Sequence, residues 1–192
     1  MTLAATDTRT ARRGEIVVVA RQLIVERGLE GLSIGQLEKR LPYTRGVITH
    51  HFANRDDIVD AVLASAVAEI DRATAEEVLR GQPLEAQIHA VLRTKVQGFL
   101  QHPEATQILL AFAMRPDGDP RAAEVESRIF DRYRAEASAL FHDLGDADAL
   151  AALLVGTVIG LVVQARVGSS AIDAEACIRA AARAFAQAAT RQ

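Results

Sequence analysis

The chain has 192 residues, enough for one or two domains with a buried core, and its 49% hydrophobic content excludes a disordered polymer. Cys177 is the single cysteine, which excludes an internal disulfide framework and fits a reducing cytosol. The net charge of −3 excludes a uniformly basic nucleic-acid binder, so contact with DNA requires a local patch.

Residues 1 to about 10 read as a disordered arm, too polar at Asp7 and Arg9 for a signal sequence. A helix is expected over 12–27, because Ile16, Val17, Ala20, Leu23 and Ile24 share one helical face and Gly28 follows as a terminator. Ser33 is placed to cap a short helix over 34–40, and Pro42 breaks it. Thr44 caps a second short helix that runs to about His51. Asn54 caps a long helix to about residue 80, with Asp56 and Asp57 in its positive first turn. Further helices are expected over 84–101, 104–114, 121–144, 148–167 and 173–189, separated by Gly- and Pro-bearing connectors. The expected fold is all-α, with a three-helix head over 1–53 and a helical body over 54–192, joined through the helix at 54–80.

Two short helices behind a longer one form a helix-turn-helix layout. In the second, Ile48 and Phe52 share an inward face, whereas Arg45, Gly46, Thr49 and His50 share the other, free to enter a groove about 12 Å wide. Arg45 suits a guanine edge or a phosphate, Gly46 permits close backbone approach, Thr49 suits a base edge or a thymine methyl, and His50 suits a phosphate. Arg55 stands at the positive start of the next helix, where a phosphate is favoured. Between Arg9 and Arg55, nine basic residues against four acidic ones leave +5, so the rest of the chain is acidic. Arg9, Arg12 and Arg13 are a possible DNA arm or a solvated tail, on equal terms. No metal site is expected from His50 and His51, since adjacent helical side chains diverge by about 100°.

Residues 33–63 resemble the DNA-binding signature of the TetR family, a pattern like T-x-x-x-I-A-x-x-A-G-V-S-x-G-x-x-Y-x-H-F-x-x-K-x-x-L. Ser33, Leu37, Thr44, Gly46, Ile48, His51, Phe52, Arg55 and Ile58 stand at matching positions. Glu38 replaces the family's small residue, Pro42-Tyr43 replaces its Gly-Val turn, and Thr49 replaces its frequent Tyr. Glu38 is expected to form a salt bridge nearby, for example to Arg45 or Arg12. The resemblance implies a homodimer, a recognition helix at 44–51 and an effector pocket in the C-terminal helices. The DNA-binding set is then Ser33, Tyr43, Thr44, Arg45, Gly46, Thr49, His50 and Arg55.

The run over 150–163 is apolar on nearly every side yet shorter than the roughly 20 residues of a bilayer span, and so reads as a buried helix. Leu153, Gly156, Thr157, Gly160 and Leu161, with Ile178, Ala182 and Phe185 from the last helix, make the expected dimer seam; burial within one subunit is the rival. Arg93, Val96, Phe99, Ile108, Phe112, Phe130, Tyr133 and Gln164 are candidate lining for a small-molecule pocket. No catalytic motif or cofactor signature occurs.

The expected function is a cytoplasmic one-component repressor that binds a palindromic DNA operator as a dimer and is released by a small-molecule effector, with no cofactor and no membrane. The alternatives are a helical small-molecule binder with a non-functional head and, third, a small helical enzyme.

Overall fold

The computed structural model describes the backbone of residues 3–73, 81–113, 120–142, 144, 146–167 and 172–190, with side chains from residue 9 onward except at 73, 120–126, 128, 129 and 167. Among the described residues the regular structure is helical: α1 (Leu3–Arg27), a one-turn 3-10 helix (Leu29–Gly31), α2 (Ile34–Arg40), α3 (Arg45–His51), α4 (Arg55–Ala73), α5 (Leu84–Gln101), α6 (Pro103–Ala113), α7 (Pro120–Ser138), α8 (Ala147–Val167) and α9 (Ala174–Ala189). The expected end of α4, over 74–80, lies outside the described residues.

Two compact units emerge, and they do not divide at residue 53. The first comprises Met1–Glu69 with Glu104–Ala122, the second Ile70–Pro103 with Ala123–Gln192. The first unit retains most of α4 because Ile58, Val59, Val62, Leu63 and Ala66 bury the helix face that follows Asn54. Arg21 of α1 adds a polar clasp: it donates to Ser65 and Glu69 on α4 and to Glu104 on α6, at 3.1, 2.7 and 2.8 Å. Burial lowers the pKa of this guanidinium, but the hydrogen bonds and charges of Glu69 and Glu104 outweigh it and hold the group above its ordinary value.

The arm expected at the N-terminus is instead helix from Leu3. Good helix formers (Ala4, Ala5, Ala11, Arg12, Arg13) precede the first glycine, Gly14, and no proline interrupts them. The α1 stripe of Ile16, Val17, Ala20, Leu23 and Ile24 is buried as its spacing predicts. Gly28 ends the helix at φ 69°, donating its N–H to Ile24 O at 2.8 Å.

In the second unit α9 lies along α5, and α8 packs against both. Ile88, Leu92 and Val96 of α5 meet a core shared with Leu154, Val158, Ile178, Ala182 and Phe185. α7 stops at Ser138, short of the expected residue 144. Bonds from Leu140 to Ala137 O and from Phe141 to Ser138 O tighten the chain there, turning Phe141 inward against Phe185, with ring centroids 6.2 Å apart.

Candidate nucleic-acid interface

Local chemistry sets α2 and α3. The Ser33 hydroxyl caps α2 by accepting the Gln36 N–H at 3.2 Å, so this residue of the expected set supports the helix that carries the turn. Thr44 precedes α3 in extended conformation, but its side chain makes no capping bond. Glu38 supplies one instead, accepting the Arg45 backbone N–H at 2.9 Å. The salt bridge expected of Glu38 is therefore replaced by a bond to the backbone, because the free N–H groups of a helix start attract a carboxylate. Tyr43 donates its hydroxyl to Glu15 of α1; that bond, then partial burial and the Glu15 charge, raise the phenol above its ordinary pKa.

Ile48 and Phe52 of the α3 segment are buried, while Arg45, Gly46, Thr49 and His50 are exposed, the division their spacing predicts. Among the described residues no carboxylate pairs with the Arg45 guanidinium. Thr49, exposed, donates its hydroxyl back to its own helix, 3.0 Å from Arg45 O and 3.3 Å from Gly46 O. A Cβ on Gly46 would meet nothing nearer than Thr44 Oγ1 at 3.9 Å, so internal packing does not require glycine there.

Arg55, expected at a phosphate, is occupied within the protein. Its Nε donates to Leu32 O and a terminal nitrogen to Leu29 O, at 2.9 and 2.6 Å; Leu29 O also accepts the Leu32 N–H that closes the 3-10 turn. Asn54 does cap α4, accepting from Asp57 N–H, while Asp57 accepts from Ala53 N–H, both at 2.9 Å.

Arg9, Arg12 and Arg13 are exposed on the first turns of α1, and Arg13 lies over the Phe52 ring at 4.7 Å. His51 is half-buried beside this region, and among the described residues its buried Nδ1 has no hydrogen-bond partner. Burial first, then the charges of His50, Arg9, Arg12 and Arg13, lower its pKa. In the first unit Arg9, Arg12 and Arg13 of α1 thus lie near the C-terminal end of α3, at Phe52 and His51.

The other expected sets are dispersed. Val96 and Phe99 are buried and Phe130 and Tyr133 half-buried in the second unit, whereas Ile108 and Phe112 are buried in the first. Arg93 and Gln164 are exposed, and Gln164 donates to Gly160 O at 3.2 Å. The Tyr133 hydroxyl lies 3.5 Å from Asp71, and burial followed by that charge raises its pKa well above the ordinary phenol value. A surface groove of about 600 Å³ runs instead past Asp131, Arg134, Ser138, His142 and Asp148, none of them in the expected set. Of the expected seam, Leu153 and Gly156 are exposed and Thr157 and Gly160 half-buried; Leu161, Ile178, Ala182 and Phe185 are buried within the subunit, because the α9 stripe faces α5. α8 spans 21 residues, longer than the apolar run alone, and 147–166 has mean hydropathy 2.0 with a third of its residues buried. By length and composition alone it is long and apolar enough to cross a membrane, a test that the core helix of a soluble protein also meets.

Sequence reasoning missed Arg21, Glu15 and the backbone role of Glu38. Arg21 directly follows the buried Ala20 at the edge of the α1 stripe, the single local signal that it faces other helices.

Residues 16–62 match the sequence profile described as bacterial regulatory proteins, tetR family. The HTH-type transcriptional repressor AcnR of Corynebacterium glutamicum is 34% identical over 85 residues, covering 42% of this chain and 45% of that protein; the chain spans about half the length of the curated relatives it matches there. A transcriptional regulator from Rhodococcus sp. RHA1 superposes with TM-score 0.75 at 25% identity, covering 92% of this chain and 96% of that one. AibR, solved in complex with isovaleryl coenzyme A and operator DNA, shares the fold at TM-score 0.66 and 18% identity, covering 89% and 96% of the two chains. The tetR-family profile thus falls on the helix-turn-helix of α1–α4, and the helical fold of a transcriptional regulator extends over nearly the whole chain.

Proposed function

We propose that the protein is a cytoplasmic homodimeric repressor that grips a palindromic operator with α3 of each protomer and lets go when a small molecule occupies its second unit. The observation behind this reading is the α3 face: Arg45, Gly46, Thr49 and His50 point outward from a helix anchored by Ile48 and Phe52. Gly46 leaves room for an approaching DNA backbone, and Arg45 is available for a base edge or a phosphate. Arg55 has a different task, holding the turn that precedes α2. Regulators of this family are DNA-binding factors and not enzymes.

Half-sites about 34 Å apart require a two-fold partner. Leu153 is 62% exposed and Val163 36% on an otherwise apolar helix. With Gly156 between them, they fit a second copy of α8, which we read as the core of the dimer and not as a membrane span. AibR supports the two-ligand logic, since that protein was solved with both operator DNA and a coenzyme A ester. Effector binding acts through α4, which runs from the α3 side of the chain into the second unit; a preference of about 1–3 kcal/mol for the released state produces a useful switch.

Fluorescence anisotropy with labelled duplexes from upstream of the protein's own gene tests the reading. Salt-sensitive binding should fall roughly ten- to a hundredfold in Arg45→Ala, the range for losing one bidentate base contact. Wild-type protein that binds no duplex even at low salt would sink the proposal.

A further inference from the structure

We infer that Glu38 is a positioning residue for DNA reading: from α2 it fixes the first turn of α3 and thereby aims Arg45. This rests on the DNA-binding reading above and adds a specificity element to it.

Three observations carry it. α3 has only seven residues, and a helix so short gains little from its own hydrogen bonds. Thr44, at the capping position, makes no side-chain bond to it. The Arg45 N–H, which no helical carbonyl can satisfy, finds its acceptor in Glu38 Oε1 at 2.9 Å. The residue whose side chain faces outward is thus held by its own backbone from the neighbouring helix. Tyr43, two positions earlier, is tied to Glu15 of α1, so the turn is braced from two helices.

An exposed carboxylate beside a DNA-facing helix has an opposite possible effect, repulsion of phosphates. Two factors limit it. The charge sits against the positive end of α3, and salt screens an exposed carboxylate from phosphates more than about 10 Å away. A lost cap, by contrast, acts fully on binding. If the first turn frays in the free protein, apparent affinity falls by the fraction of molecules in which it is formed. For loss of a helix cap that is roughly five- to tenfold.

The test uses a duplex selected by the wild-type protein from a random pool, with anisotropy titrations of wild type, Glu38→Ala, Glu38→Gln, Arg45→Ala and the Glu38→Ala/Arg45→Ala double variant. Glu38 is exposed, so neither replacement opens the core, and thermal unfolding followed by circular dichroism checks that the overall fold is kept. Glu38→Ala should weaken binding roughly five- to tenfold and flatten the preference at the same base pair as Arg45→Ala. Glu38→Gln, whose amide oxygen still accepts the N–H, should restore both. In the double variant, loss of Glu38 should add almost nothing to loss of Arg45, since one acts through the other. Equal or tighter binding by Glu38→Ala, or a loss that adds in full to that of Arg45→Ala, overturns the inference while leaving DNA binding intact. A wild-type protein that selects no sequence removes the DNA-binding reading itself, and the inference with it.

Discussion

α3 and α8 both leave a face uncovered, and the faces differ in kind. α3 exposes Arg45, Thr49 and His50, groups well solvated without a partner. α8 exposes Leu153 and Val163, which water solvates poorly. A polar face on a braced helix can wait for DNA and release it again, whereas an apolar face calls for a lasting protein cover. The contrast agrees with the proposed roles, α3 for a reversible partner and α8 for a second subunit.

The sharpest way to break that assignment is Leu153→Asp. At a two-fold seam the charge would appear twice, each copy costing about 3–5 kcal/mol if buried without a counterion. Sedimentation velocity should show monomers at concentrations where the wild type is dimeric, and operator binding should fall with them. An unchanged dimer would mean that α8 is not the seam.

Phe185→Ala tests the other helix. The sequence reading puts Phe185 at the dimer seam, but it is buried inside the subunit against Phe141. Truncation should therefore lower unfolding free energy by about 3–5 kcal/mol, seen in chemical denaturation at fixed protein concentration. The dimer dissociation constant of the folded protein should hardly move. A weakened dimer with unchanged subunit stability would return Phe185 to the seam.

This pair marks where sequence reasoning stops. Period and caps are local, so the stripe of α1, the Ser33 cap and the bounds of α5 were all legible. A stripe says which face is buried, but not by which partner; Ile178, Ala182 and Phe185 form a clear stripe, and only the fold shows that it meets α5. α8 is apolar on nearly every side, so its sequence could not separate the exposed Leu153 from the buried Leu161, both placed at the seam. The outward set on α3 was legible because the inward residues Ile48 and Phe52 fix its complement. Arg55 was not, since its partners are backbone carbonyls, which have no sequence signature.

Arg55→Met sharpens that last distinction. It keeps an unbranched apolar stem but removes the side-chain donor of Leu32 O and the second donor of Leu29 O, for a loss of about 1–3 kcal/mol of stability. The slope of log affinity against log salt should stay as in the wild type, because no phosphate contact is removed. A slope shallower by about one unit would place Arg55 on the DNA after all.

The smallest expected effect concerns protons. His51 has a buried, unpartnered Nδ1 among the charges of His50, Arg9, Arg12 and Arg13, and its pKa is lowered. Above the ordinary histidine value, near 6.5, the ring is neutral whether the chain is folded or unfolded, and stability is complete. As pH falls below that value, the unfolded chain takes up a proton that the folded one resists, so stability is lost. The melting temperature should therefore drop more between pH 7.5 and pH 5.5 in the wild type than in His51→Phe, which cannot titrate there. Bound DNA should narrow the gap, since phosphates near α3 favour the protonated ring. An equal drop in both proteins would mean that neither the burial of His51 nor the charges around it hold off its protonation.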